Sequence, residues 1–379
     1  MQKRKVLFLI ESLAGGGAEK VLTTLVQHID KERFDVTVCA ISGGGKYEEV
    51  VKEQVTYRAI LSDPAGKSGF QNLIYKLKHH LVYCWLPLSW VYRLFVPQGN
   101  DVEVAFVEGF TTKLLSHATN NKAKKYAWVH CNMGKDHWTT SIFSSLQSEI
   151  AAYNRFDKVL CVSATAVEGF KQTFTGMHVP VSVMYNPINA TEILQKAAGQ
   201  SPVAHDVPRL VTVGRLEPPK GYDRLVCIVS RLVAEGFSFE LWIIGVGTQE
   251  YQLKNYVRKN ELERVVKLFG FHANPYQYMA QADLFVSSSR SEGYSTAVTE
   301  ALILGLPVIT TDCSGMAELL KDGECGMITE NDDEALYAGL MQLLSDEALL
   351  KHYRQKAVER GKEFSIEHLM EPIEDLLMT

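Results

Sequence analysis

The chain has 379 residues, more than one ordinary core accommodates, so two domains are expected. Hydrophobic residues make up 46% of it and charged residues 22%, the balance of a soluble globular protein, which excludes a disordered chain and one wholly embedded in a bilayer. The net charge of −5 argues against general nucleic-acid binding.

The N-terminus, Met1-Gln2-Lys3-Arg4-Lys5 followed by Val6 to Ile10, has the charge and apolar order of a signal peptide. Its apolar run is too short and meets Glu11 and a glycine cluster, so residues 6–11 read as a first buried strand. No run of 18 or more apolar residues exists to span a bilayer. A helix over 18–28 and a strand over 35–41 follow, with later strands over 102–107, 125–130 and 158–162 and helical stretches between them. This is the βαβ rhythm of a parallel sheet. The rhythm pauses at 183–187, and a polar stretch over 197–208, containing Gly199, Pro202 and Pro208, reads as the interdomain link. A second series follows: strand 209–213, helix 222–235, strand 239–244, helix 249–260, strand 265–269, a segment at 275–281, strand 282–288, a helix opening at Ser295, and strand 307–310. The final stretch, 363–378, carries an apolar stripe of Phe364, Ile366, Leu369, Ile373, Leu376 and Leu377. Seven cysteines without C-x-x-C spacing read mainly as reduced core residues, with neither disulfides nor structural zinc expected.

Two doubly wound halves bind ligands at the carboxyl ends of their strands, so functional residues are sought on strand-to-helix loops. The most informative lies at Arg290-Ser291-Glu292-Gly293-Tyr294-Ser295-Thr296 and continues to Glu300. Ser295 or Thr296 makes a natural N-cap, and a helix N-terminus with free N–H groups suits a phosphate. At about 1.5 Å per residue, Glu300 would lie ~7 Å along the axis from such an anion, the reach from a diphosphate to a ribose. The plainer alternative is a helix whose acids complement its dipole, with Glu292 a solvated loop residue.

A second loop, Gly214-Arg215-Leu216-Glu217-Pro218-Pro219-Lys220-Gly221, places two cations five residues apart. Arg215 can grip a phosphate through paired N–H groups and Lys220 supplies a compact charge, together suited to a diphosphate leaving group; solvated charges on a surface turn are the alternative. The first strand ends in Gly15-Gly16-Gly17, which lacks the G-x-G-x-x-G order of a dinucleotide fingerprint but permits close backbone approach to a phosphate or sugar.

These elements, with Gly315-Met316-Ala317-Glu318, Gly323 and Gly326, resemble the retaining glycosyltransferases of family 4, which have the GT-B fold, over nearly the whole chain. The resemblance implies an α/β protein with two Rossmann-like doubly wound domains facing across a cleft. It sets an acceptor-binding domain at 1–187, a nucleotide-sugar-binding domain at 188–362, and a last helix, 363–379, crossing back to the N-terminal domain. It implies that Arg215 and Lys220 bind the donor diphosphate, helped by Gly214, by backbone N–H groups around Gly293, Tyr294, Ser295 and Thr296, and by Gly15, Gly16 and Gly17. Glu292 would hold the donor sugar, Glu300 the ribose, and the loop at Phe271 the base. His130, closing a strand, matches a histidine near the transferring sugar, and Glu108, also at a strand end, is an acceptor contact or, in a double displacement, a nucleophile. Glu292, His130, Arg215 and Lys220 are thus the catalytic candidates.

The implied reaction is retaining transfer from a nucleotide sugar, UDP-linked by preference, with neither cofactor nor metal; no Asp-x-Asp pair is present, Asp332-Asp333 being adjacent. The alternatives are a catalytically silent GT-B partner of a transferase complex and a nucleotide-sugar epimerase. Residues 64–100 contain no Asp or Glu but hold Lys67, Lys76, Lys78 and Arg93 among Trp85, Trp90, Tyr75, Tyr83, Tyr92, Phe70 and Phe95. That mixture suits an anionic membrane surface, and hence a cytoplasmic protein at the inner face of the membrane with a lipid-linked saccharide acceptor; buried helices are the competing reading.

Overall fold

The computed structural model describes residues 2–63, 69–198 and 206–379. They form two compact units, one of Met1–Pro187 with Ile366–Thr379 and one of Ile188–Ser365.

The first unit is built on a seven-stranded parallel sheet: β1 (Arg4–Ile10), β2 (Phe34–Ser42), β3 (Thr56–Leu61), β4 (Val102–Ala105), β5 (Lys124–Val129), β6 (Lys158–Cys161) and β7 (Val181–Val183). Their order is β3-β2-β1-β4-β5-β6-β7. Val6 to Ile10 on β1 are no more than 1% exposed, because a central parallel strand is covered on both faces. The connecting helices are α1 (Gly17–His28), α2 (Glu48–Gln54), α3 (Gly69–His80), α4 (Leu88–Phe95), α5 (Phe110–Leu115), α6 (Leu146–Tyr153) and α7 (Ala164–Thr173). α1 buries Val21, Leu22, Leu25 and Val26, a single stripe at helical spacing.

The second unit repeats the plan with a six-stranded parallel sheet. Its strands are β8 (Arg209–Val213), β9 (Glu240–Ile244), β10 (Val266–Gly270), β11 (Leu284–Ser287), β12 (Val308–Thr311) and β13 (Met327–Thr329), in the order β10-β9-β8-β11-β12-β13. Its helices are α8 (Ala190–Ala197), α9 (Tyr222–Ala234), α10 (Glu250–Lys259), α11 (Tyr276–Met279), α12 (Thr296–Ile303), α13 (Met316–Leu320), α14 (Asp333–Ser345) and α15 (Glu347–Gly361). The last helix, α16 (Ile366–Met378), returns to the first unit. There Glu374 accepts from the Asp30 N–H and the Arg33 guanidinium, both at 2.9 Å.

In each sheet the connections diverge between two neighbours, β1 and β4 in the first and β8 and β11 in the second. Crevices at the carboxyl ends of such neighbours are the ligand sites of doubly wound folds.

Three edge strands, β3, β7 and β13, are absent from the sequence reading, since edge strands are short and mix polar with apolar residues. The chain passes between units at Pro187 and Ile188, ahead of the polar stretch at 197–208, because α8 packs on α11 and α12 within the second unit. Gly199 and Pro202 of that stretch lie outside the described residues. All seven cysteines are free, and Cys84 and Cys227 are exposed rather than in the core.

Candidate active site

At the β8/β11 switch point two loops are stitched together. The first follows β8 and ends in a short 3₁₀ turn, Pro218–Lys220, closed by Gly221 at φ 65°. A side chain at Gly221 would meet the Ser288 carbonyl at 2.1 Å, so only glycine permits this contact. The second loop follows β11. Its Arg290 N–H donates to the Pro219 carbonyl at 2.7 Å, and the Ser288 hydroxyl donates to the Lys220 carbonyl at 3.0 Å. Arg290 also forms a bidentate pair with Asp223 at the start of α9, at 2.6 and 2.8 Å.

This stitching brings Lys220 Nζ within 2.5 Å of Glu292 Oε1, which also accepts from the Ser289 hydroxyl at 2.6 Å. Lys220 and Glu292 line one pocket with Thr212, Ser287, Ser288 and Ser295. Ser295 is the N-cap of α12, its side chain accepting from the Val298 N–H, and Thr296 is the first helical residue. The predicted helix start is thus observed beside the predicted cation and carboxylate.

Arg215 is exposed, and its side chain makes no hydrogen bond or ion pair among the described residues. Gly214 follows β8, donating its N–H to the Ile244 carbonyl at 3.0 Å. Gly293 is buried and Tyr294 half-buried in the β11–α12 loop, Glu300 is buried inside α12, and Phe271, just past β10, is half-exposed.

Arg224 was not singled out by the sequence, yet it organises the site. It is 4% exposed, and its guanidinium donates to the Ser288 and Ser289 carbonyls at 2.8 and 2.7 Å and to Asn331 at 2.8 Å. The loop presenting Glu292 is therefore clamped from behind. The available signal was one arginine among Leu225, Val226, Ile228 and Val229, since a cation on a buried helix face needs partners.

At the β1/β4 switch point the materials differ. Glu108, in the β4–α5 loop, is 8% exposed; Oε2 accepts from the His130 backbone N–H at 2.9 Å and Oε1 from the Trp138 indole at 3.2 Å. The Cys131 thiol donates instead to the Met133 sulfur at 3.4 Å. The structure therefore brings Glu108 and His130 together, through the backbone.

The His130 ring lies 5.0 Å from Phe106 and stacks on Trp128 at 5.9 Å. Its Nε2 is buried without a hydrogen-bond partner. Burial pushes its pKa down to about 4, against the opposing charge of Glu108 and a hydrogen bond to the Phe106 backbone. The imidazole is consequently neutral at ordinary pH. Gly15 adopts φ 126°, Gly16 is the N-cap of α1, and Gly17 is its first residue.

The acid-free segment is partly core and partly surface. α3, a π-helical turn (Leu81–Trp85) and α4 bury Val82, Val91 and Tyr92, while Leu73, Ile74, Leu77, Trp85, Trp90 and Leu94 are 50–63% exposed. Residues 64–68, including Lys67, and the Phe70 side chain lie outside the described residues. No described helix is long and apolar enough to cross a membrane.

Two family models match, one to each unit: Glycosyltransferase Family 4 over residues 15–192 and Glycosyl transferases group 1 over 195–363. The chain is 29% identical, over 95% of its length and 96% of the relative's, to N-acetylgalactosamine-N,N'-diacetylbacillosaminyl-diphospho-undecaprenol 4-alpha-N-acetylgalactosaminyltransferase of Campylobacter jejuni. It is 24% identical, over 98% and 99%, to the amylovoran biosynthesis glycosyltransferase AmsD of Erwinia amylovora. Its fold matches that of Anabaena HepE, solved with UDP and glucose, at a TM-score of 0.76 and 18% identity, covering 99% of this chain and 100% of that one. Matched models across both units and two doubly wound sheets lead to one conclusion: the chain belongs to glycosyltransferase family 4 and has the GT-B fold.

Proposed function

We propose that this glycosyltransferase moves a sugar from a UDP-linked donor to a hydroxyl of a lipid-linked saccharide, retaining the anomeric configuration and using no metal ion, in the assembly of a cell-surface polysaccharide or glycolipid. The observation that carries the reading is the cluster of Lys220, Glu292 and Ser289 beside the start of α12. It puts a fixed cation, a carboxylate and a helix N-terminus around one pocket, which is what a sugar bearing a diphosphate requires.

In this reading the second unit binds the donor. Arg215 and Lys220 take the diphosphate with the N–H groups of the Gly293 to Thr296 turn and with Gly214, Glu300 holds the ribose, and the Phe271 loop lines the base. The Gly15 to Gly17 loop adds backbone contacts, and His130 meets the transferring sugar as a neutral imidazole. Glu292 leaves one oxygen, Oε2, for a sugar hydroxyl. The bond from the anomeric carbon to the diphosphate oxygen breaks, and the acceptor oxygen bonds to that carbon from the same face. The acceptor proton passes to a phosphate oxygen. Lys220 stabilises the charge gathering on the leaving group, the largest electrostatic demand of the reaction.

The relatives support the finer parts. The Campylobacter jejuni protein is named for a diphospho-undecaprenol acceptor and a 4-alpha linkage, and an α product from an α-linked donor is retention. The Erwinia amylovora protein is named for amylovoran biosynthesis, and the Anabaena structure holds UDP. The exposed leucines and tryptophans of α3 to α4, with Lys76, Lys78 and Arg93, suit the anionic inner face of the membrane.

The test is nucleotide release from a panel of UDP-sugars, with and without polyprenyl-diphosphate-linked saccharides. Acceptor-dependent release is expected. A changed sugar released without acceptor would mean an epimerase, and UDP binding without turnover a silent partner. Failure to co-sediment with phosphatidylglycerol-containing liposomes at low salt would remove the membrane assignment.

A further inference from the structure

The inference rests on the proposed transfer reaction and concerns its acceptor side. β1 and β4, the two strands flanking the first switch point, each lead to a glutamate: Glu11 directly after Ile10, and Glu108 in the loop after Ala105. The sequence drew attention to Glu108. In the structure its two oxygens hold the His130 N–H and the Trp138 indole, so the carboxylate fixes the loop carrying His130.

Glu11 is engaged differently. One oxygen, Oε1, accepts from the Tyr83 hydroxyl at 2.5 Å. The second takes no hydrogen bond from any described residue, and it is not among the buried polar atoms sealed away without a partner. Burial raises the pKa of this carboxyl while the Tyr83 hydrogen bond opposes the rise, marking a partly desolvated group with fewer donors than it can use. Tyr83 is itself held, its ring 4.3 Å from Phe110 at the start of α5 and 4.5 Å from His79. It belongs to the π-helical turn between α3 and α4, whose next aromatic residue, Trp85, is 62% exposed.

We infer that Glu11 is an acceptor-contact residue: its second oxygen accepts a hydroxyl of the acceptor saccharide, while Tyr83 fixes the carboxylate and joins it to the segment that faces the membrane. Glu108 is then a positioning residue, acting through His130. A saccharide hydroxyl suits this place because a carboxylate already bonded to one neutral hydroxyl can take another without any charge being buried beside it. The arrangement also gives selectivity, since an acceptor lacking that hydroxyl leaves a partly buried oxygen unpaired.

The experiment compares Glu11→Gln and Tyr83→Phe with the wild-type protein, using the UDP-sugar and polyprenyl-diphosphate saccharide that support wild-type release. Glu11→Gln should raise the acceptor KM about tenfold or more, leaving the donor KM and UDP affinity unchanged. Tyr83→Phe, which keeps the carboxylate, should raise the acceptor KM about threefold to fivefold. An unchanged acceptor KM in Glu11→Gln, or equal rises for donor and acceptor, would overturn the inference alone. If Glu11→Gln fails to fold, Tyr83→Phe decides, an unchanged acceptor KM again counting against the inference. Full activity in Lys220→Ala would instead overturn the donor-site reading, and absence of acceptor-dependent release from the wild type would remove reading and inference together.

Discussion

Both sheets order their first six strands alike, 3-2-1-4-5-6 in the sequence of each unit, but the loops at their switch points are made of opposite materials. In the second unit a lysine meets a carboxylate at 2.5 Å, two loops are stitched by backbone hydrogen bonds, and a buried arginine clamps them. In the first, the carboxylates Glu11 and Glu108 are paired with a phenol, an indole and a backbone N–H, and the histidine beside Glu108 is neutral. Fixed cations suit a place where charge develops during reaction. Partly desolvated neutral and acidic groups suit the recognition of hydroxyls, because each unmet hydrogen bond there carries a cost. One architecture thus supports two kinds of chemistry, decided by which side chains its strand ends carry.

Breaking the charged side should have the largest effect. Lys220→Ala is expected to lower acceptor-dependent nucleotide release by about 10²–10³-fold with an unchanged far-ultraviolet circular dichroism spectrum. The corresponding break on the neutral side is Glu108→Gln. Its amide presents hydrogens to donors already aimed at the carboxylate, and urea denaturation should show a loss of about 2–3 kcal/mol. Arg224→Met removes the clamp and leaves the Ser288 and Ser289 carbonyls unbonded; UDP affinity should fall about tenfold, read by calorimetry.

The contrast is sharpened by pH. An unfolded histidine titrates near 6.5, whereas His130 in the folded chain does so at about 4, so between these values the unfolded state binds the proton and the native state does not. Stability from this group is complete above pH 6.5 and is lost as pH falls toward 4. His130→Phe should flatten that part of the stability profile relative to wild type, measured by thermal unfolding across the window. The smallest effect on stability is expected for Trp85→Ser with Trp90→Ser, within about 0.5 kcal/mol because both side chains are exposed, while liposome binding falls.

Much of the second unit's loop cluster was legible in the sequence because its parts are contiguous: a strand, a helix cap and charges at short spacing announce themselves within ten residues. What stayed hidden was cooperation across the fold. Arg224 reaches carbonyls at 288 and 289, and Arg290 finds Asp223, through contacts that no local spacing encodes. The sequence set Arg215 beside Lys220, but it gave no sign that Lys220 would be bonded to Glu292 while Arg215 stays exposed. Glu11 went unremarked because it read only as the residue ending an apolar run. Its distinction from Glu108 depends on which oxygens are already occupied, a property of packing. The edge strands escaped for a related reason: Thr56–Leu61 carries an arginine and a tyrosine among its apolar residues, so its pattern is weak.

The return of α16 to the first unit has a consequence for the order in which the chain becomes a protein. Residues 188–365 are an insertion within the first unit's sequence, since that unit's last helix is Ile366–Met378. A ribosome therefore delivers every strand of both sheets before the helix that supplies Glu374 to Asp30 and Arg33 and sets the C-terminal turn beside Tyr126. During synthesis the second unit can close on itself first, while the unit begun earlier waits for α16 to emerge before it is sealed.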